Sequence, residues 1–144
     1  MREIREVIFR GKRADNGEWI EGSLLGIDWC DKPSTYSIAP NTPVSVFYSV
    51  IPETVGQYTG LTDKNGKRIF EGDICRFKRF NDVHIGKIVF NATTASFVMW
   101  YQPIVGAYGE KATQKMLLSV CDDIEVIGNI HDNPEILKGG GDNG

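Results

Sequence analysis

The sequence predicts a mostly β fold: a single domain of short antiparallel strands around a barrel-like or two-sheet core, with an SH3-like barrel among the options and at most one or two short helices. Three observations predict it. Apolar runs rich in branched and aromatic residues are short, in the ~4–8-residue range of strands. Asn-Gly pairs, isolated glycines and prolines punctuate them. The helical segments of about 10–15 residues that an alternating α/β fold needs are missing.

The elements follow in order. Ile4–Phe9 (IREVIF) is branched and apolar, and the pattern resumes at Glu18–Gly26 (EWIEGSLLG). Between them stands Asn16-Gly17, whose natural setting is a type I′ turn with positive φ at both central residues, so residues 4–26 read as a hairpin. Prolines 33, 40, 43 and 52 exclude a long helix from the next stretch and confine it to loops and edge strands. After Pro43, the run VSVFYSVI alternates like a strand, and PETVG allows one helical turn. In Ile74–Phe80 (ICRFKRF) Cys75 and Phe77 should face the core while Arg76 and Lys78 face water. Asn81-Asp82 reads as a turn. His84–Phe90 and Ala95–Tyr101 form a strand pair across residues 91–94. Gly106–Gly109 is a loop, Glu110–Val120 the one plausible helix, and Asp123–Ile130 the last strand, stopped by Asn133-Pro134. Residues 1–138 form the domain, and the glycine-rich 139–144 reads as a disordered tail.

No apolar run approaches the ~20 residues that span a bilayer. The N-terminal MREIREVIFRGKR lacks the apolar stretch of a signal peptide, which points to the cytoplasm. Cys30, Cys75 and Cys121 are odd in number and far apart, unlike a disulfide framework or zinc ligands, so they read as thiols in a reducing compartment. With His84 and His131 the only histidines, neither a metal site nor a cofactor is expected. Net charge is −3, which disfavours a general nucleic-acid binder. The charge is uneven, however: residues 1–13 and 60–90 are net basic, and 14–59 and 91–144 net acidic.

The densest collection of reactive groups is YTGLTDKNGKRIFEGDI, residues 58–74. It has an earlier near-copy. Gly11, Asn16, Gly17, Ile20, Glu21 and Gly22 parallel Gly60, Asn65, Gly66, Ile69, Glu71 and Gly72, with Phe70 the one extra residue, as in a β-bulge. Shared turn geometry explains a duplication better than a duplicated catalytic group would. Asn16, Gly17, Asn65, Gly66, Glu71 and Gly72 are therefore read as turn and corner residues.

Chemical readings of the stretch are weak. An EF-hand loop wants glycine at position 6 and flanking helices, and counted from Asp63 the glycine falls at position 4. Glu71 and Asp73 could share a strand face, but an acid–base pair needs a pocket, and a Glu-Gly-Asp corner reads as solvent-facing. A nucleophile elbow and a phosphate-binding glycine loop are both missing. No catalytic residue is assigned. The basic residues Lys12, Arg13, Lys67, Arg68, Arg76, Lys78 and Arg79 form the candidate surface for a partner or nucleic acid, Arg76–Phe80 interleaving bases with aromatics.

These motifs carry a resemblance. Val7-Ile8-Phe9-Arg10-Gly11-Lys12, Asn16-Gly17-x-Trp19, Thr54 to Leu61, Asp63-x-Asn65-Gly66, Glu71-Gly72-Asp73-Ile74 and Val126 to Glu135 together resemble the YopX family of small phage and prophage proteins, from about residue 4 to 137. His131 stands where that family usually has an aromatic residue, and 28–50 matches loosely. The resemblance implies a cytoplasmic, phage-encoded protein without an assigned reaction. The expectation is a non-enzymatic scaffold that forms homo-oligomers and binds a host or phage protein. Its alternative is a nucleic-acid-binding β module using segments 10–13 and 64–79.

Overall fold

The computed structural model describes residues 5–29, 32–101 and 114–140. The chain forms two compact units, Met1–Gly60 and Leu61–Gly144. Two antiparallel sheets, of six and five strands, account for the architecture, and of the predicted forms the two-sheet one is found.

In the first unit β1 (Phe9–Lys12), β2 (Trp19–Trp29), β3 (Lys32–Ala39), β4 (Tyr48–Val50) and β5 (Gly56–Thr62) lie in the order β4-β3-β2-β1-β5. Phe9 opposes Gly22 and Lys12 opposes Trp19, so the first hairpin forms as predicted, with β1 starting at Phe9 and Ile4 outside the described residues. Ile38 and Val50 are buried beneath it. Gly11 leaves room for both, since a Cβ there would lie 3.2 Å from Val50 and 3.3 Å from Ile38. The sheet curls at its end. Arg13 bridges Val50, Ala14 donates to the Ser49 carbonyl at 2.8 Å, and Ile51 donates to that of Lys12 at 2.8 Å.

Two readings of this region are corrected. Residues 32–39 are an internal strand between β2 and β4, not a loop or edge. Pro33 is tolerated there because β4 pairs with β3 only from Tyr36 to Ile38, away from the proline. The strand expected from Val44 is limited to Tyr48–Val50, preceded by bends over 41–44. The single helical turn is found, as a 3-10 turn over Pro52–Thr54.

β5 runs on past Gly60 and turns into β6 (Arg68–Phe70), the last strand of the six-stranded sheet. The second unit then builds β7 (Asp73–Arg79), β8 (Asp82–Asn91), β9 (Ser96–Tyr101), β10 (Gln114–Leu117) and β11 (Asp122–Asn129), in the order β10-β9-β8-β7-β11. Ile69, Cys75, Phe77, Ile88, Met99, Tyr101, Leu118 and Cys121 form its core, with Phe97, Ile124 and Val126 against it. Period two holds on β7: Cys75 and Phe77 are buried, Arg76 and Lys78 exposed.

The helix expected at Glu110–Val120 is not there. Residues 110–113 lie outside the described ones, as do the loop at 106–109, Cys30 and the tail residues 141–144. Gln114–Leu117 is strand β10 and Leu118–Val120 a 3-10 turn. The helix-forming side chains of QKML lose to pairing with β9, where Met116 opposes Met99. A helix forms instead at α1 (Pro134–Gly140), where Asn133-Pro134 reads in the sequence as a strand stop. Proline cannot extend a strand, but its fixed φ suits the first helical position. The strand itself is ended by Asn129, whose Oδ1 accepts the N–H groups of His131 and Asp132. α1 then packs on β8.

Candidate functional site

The two copies of the turn motif share an outline and differ in detail. In the first, Gly17 has φ 74° and Arg13 and Glu18 close the loop through a 2.9 Å hydrogen bond. Asn16 has no positive φ, so the turn is not type I′. Its Oδ1 instead accepts the Glu18 N–H. In the second, Gly66 has φ 83° and Asp63 takes the organising role. Asp63 Oδ1 accepts the N–H groups of Asn65 and Lys67, both at 2.9 Å, and Oδ2 accepts that of Val126 on β11 at 3.0 Å. Burial works to raise the Asp63 pKa, but the three backbone N–H bonds and the nearby Lys67 charge outweigh it and hold the carboxyl below its ordinary range.

The Glu-Gly elements diverge further. Glu21-Gly22 lies within continuous β2, where the glycine is needed because a Cβ would collide with the Ala39 carbonyl. Glu71-Gly72 is a true corner, with Gly72 at φ 92°. Phe70, the extra residue, ends β6 and is buried. Asp73 overturns the solvent-facing reading. It is 1% exposed, and its Oδ2 accepts the Phe70 N–H at 2.7 Å, so the carboxylate reaches back across the corner and fastens it. Glu71 beside it is half-buried.

The candidate basic residues are placed in several settings rather than on one patch. In the first unit, Lys12 Nζ lies 5.4 Å and Arg10 4.8 Å from the Trp19 ring centroid. Arg13 pairs with Asp15 at 2.7 Å and stacks on Tyr48 at 4.1 Å. In the second unit, Lys67 and Arg68 are exposed around the β5–β6 turn. Arg76 pairs with Glu125 at 2.9 Å and Lys78 with Asp123 at 3.6 Å, so acids of β11 match both cations.

Arg79 is different. It shares the strand face of Cys75 and Phe77, and its guanidinium stacks 3.9 Å from the Phe80 ring centroid. Its Nε is buried and has no hydrogen-bond partner among the described residues. Nearby lie Tyr101 and Cys121, and His84 closes a ring cluster with Phe77 (5.6 Å) and Tyr101 (5.0 Å). Burial pushes the Cys121 thiol up to about 11, against the pull of Arg79, and raises Tyr101 as well. The turn carrying Phe80 also departs from the Asn81-Asp82 reading. Arg79 opposes Asp82, and the central pair is Phe80-Asn81, at φ 51° and 70°. Positive φ at both is type I′ geometry, unusual for a phenylalanine. Phe80 is 77% exposed. Sequence reasoning placed Arg79 with the surface cations, although its spacing from Cys75 and Phe77 already set it on the inner face.

Among the described residues no three His, Cys, Asp or Glu side chains gather where they could hold a metal ion, and no helix is long and apolar enough to cross a membrane. Fold and geometry thus define an all-β protein of two antiparallel sheets whose carboxylates Asp63 and Asp73 hold turns together. Over residues 8–138 the chain matches the family described as YopX protein, and it belongs to that family. Comparison with curated proteins finds no match.

Proposed function

We propose that the chain is a non-enzymatic, phage- or prophage-encoded binding protein that self-associates and acts on a host or phage protein in the bacterial cytoplasm. The observation that carries this reading is an apolar segment left uncovered beside β4. Val44 is 63%, Phe47 58% and Ile51 37% exposed within eight residues of chain. Three such side chains along one short segment favour a protein contact over water. The chemistry of the reactive groups agrees with a binding role: the Cys121 thiol is held protonated by burial, and Asp63 and Asp73 are engaged by backbone N–H groups. Light scattering should give a mass at least twice the 16.1 kDa of one chain. Phe47→Ser should shift it toward a single chain. A strict monomer at micromolar concentration sinks the self-association.

The cations around Trp19 favour a second reading, nucleic-acid binding, since an aromatic ring between Arg10 and Lys12 offers stacking and charge together. It predicts retention of single-stranded DNA or RNA that falls steeply with salt and is lost on charge reversal at Arg10 and Lys12. The pairing of Arg76 and Lys78 with acids ranks it second. Unshifted DNA and RNA at low salt would end it.

A further inference from the structure

The β7–β8 hairpin tip holds a cation that no carboxylate among the described residues matches. Arg76 and Lys78 have carboxylates within 2.9 and 3.6 Å, whereas Arg79 has none among the described residues, and its Nε is buried without an acceptor. Asp82 stands opposite Arg79 in the strand register but makes no ion pair with it. One donor of this guanidinium, Nε–H, is desolvated and unmet, and an oxyanion that reaches the cation offsets that cost, carboxylates fitting its fork best.

The tip is also shaped at an energetic cost. Phe80 adopts φ 51°, a conformation bulky residues avoid, and in doing so lays its ring over the Arg79 guanidinium. That ring covers one face of the cation. Such backbone strain in an exposed turn is typical of functional positions. Phe80, 77% exposed, adds an apolar surface beside the Arg79 guanidinium.

We propose that this tip binds an acidic, apolar peptide segment of a partner protein, with a carboxylate of the segment accepting from the Arg79 guanidinium and an apolar side chain resting on Phe80. The proposal rests on the reading of the chain as a binding protein and supplies the partner's chemistry. The occupant is an acidic segment because the tip offers a cation that no carboxylate among the described residues matches, beside an exposed ring.

The test uses the full chain, isotopically labelled, titrated with a blocked pentapeptide alternating leucine and glutamate. Saturable shifts should appear at Arg79 Nε–H and the Phe80 amide, and the peptide with glutamine in place of glutamate should bind at least tenfold more weakly. Arg79→Gln should remove the shifts while the remaining spectrum stays folded. Phe80→Asn, which suits the turn better, should melt higher yet bind at least fivefold more weakly, a combination that loss of structure cannot produce. Three outcomes overturn the proposal: no shifts, equal shifts from the glutamine peptide, or shifts from inorganic phosphate with none from the peptide. Shifts that appear only on raising the protein concentration assign the tip to a second copy and also overturn it. A light-scattering mass of one chain together with saturable peptide shifts would sink self-association and leave this site standing.

Discussion

Asp63 on the β5–β6 turn accepts the Val126 N–H through Oδ2 while Oδ1 holds the N–H groups of Asn65 and Lys67, so one carboxylate fixes both its own turn and the turn's attachment to β11. A second hydrogen bond, from Lys64 N–H to the Ile124 carbonyl at 2.9 Å, runs alongside. Within the second unit this replaces a strand pairing that β11 would otherwise lack on that side. Asp63→Ala leaves three N–H groups without their acceptor and should cost about 3 kcal/mol, with Asp63→Asn costing roughly half, read from urea midpoints.

The same carboxylate gives an acid dependence whose sign is fixed. The folded-state pKa of Asp63 lies below the ordinary value, so the folded state favours the ionised form. Its stabilisation is complete above the unfolded-state value of about 3.9 and is lost as pH falls through the lower folded value. Urea midpoints measured from pH 6 down to 2 should therefore fall, and the fall should be shallower in Asp63→Asn. An identical slope in the variant would assign the acid sensitivity to other carboxylates.

Gly22 and Gly17 should separate steric from conformational need. A Cβ at Gly22 meets the Ala39 carbonyl, backbone that cannot yield without opening the β2–β3 pair. At Gly17, φ is 74° and nothing lies within 4 Å, so only the backbone conformation resists a side chain. Gly22→Ala should cost about 3 kcal/mol, the upper range for forcing atoms into packed structure, and Gly17→Ala about 1 kcal/mol. Thermal melts of both variants decide it, and equal losses would contradict the distinction.

How much could be read beforehand depends on whether a signal is local. The strands β7, β8 and β9 and the inward Cys75 and Phe77 follow from period two, which a short window displays. β10 and α1 do not. Gln114–Leu117 has helix-forming side chains, and only its pairing with β9 makes it a strand. Pro134 opens α1 rather than ending β11, which Asn129 closes, and the residues that follow it are too few and too glycine-rich to announce a helix. The roles of Asp63 and Asp73 were hidden for a related reason. A carboxylate in a turn looks solvent-facing in sequence, and its partner Val126 is 63 residues away. Arg79 was the reverse case, legible by strand parity but masked by its membership of a basic run.

Phe80 offers a check on turn strain that is independent of any ligand. The phenylalanine occupies a position that asparagine or glycine enters readily. Phe80→Asn removes that strain, which is on the order of 1–3 kcal/mol for such outliers, and gives up the stack on Arg79. The exposed stack is worth less, about 0.5–1 kcal/mol, so the variant should be more stable by about 1 kcal/mol in denaturant titrations. A less stable variant would show that the ring contact outweighs the backbone term.

Cys121 yields the last prediction, and it concerns reactivity. Only the thiolate attacks a disulfide reagent, and burial holds this thiol up at about 11. In a Cys30→Ser background, Cys75 is fully buried and Cys121 is the more accessible of the two remaining thiols. Labelling of the folded protein by an aromatic disulfide should be slow at pH 7.5 and accelerate close to tenfold per pH unit up to pH 10. Arg79 lowers the Cys121 value, so Arg79→Gln should raise it and slow the labelling further at every pH. Faster labelling in that variant would mean that Arg79 acts on the thiol by covering it rather than through its charge, since uncovering exposes the sulfur while removing the charge disfavours its ionisation.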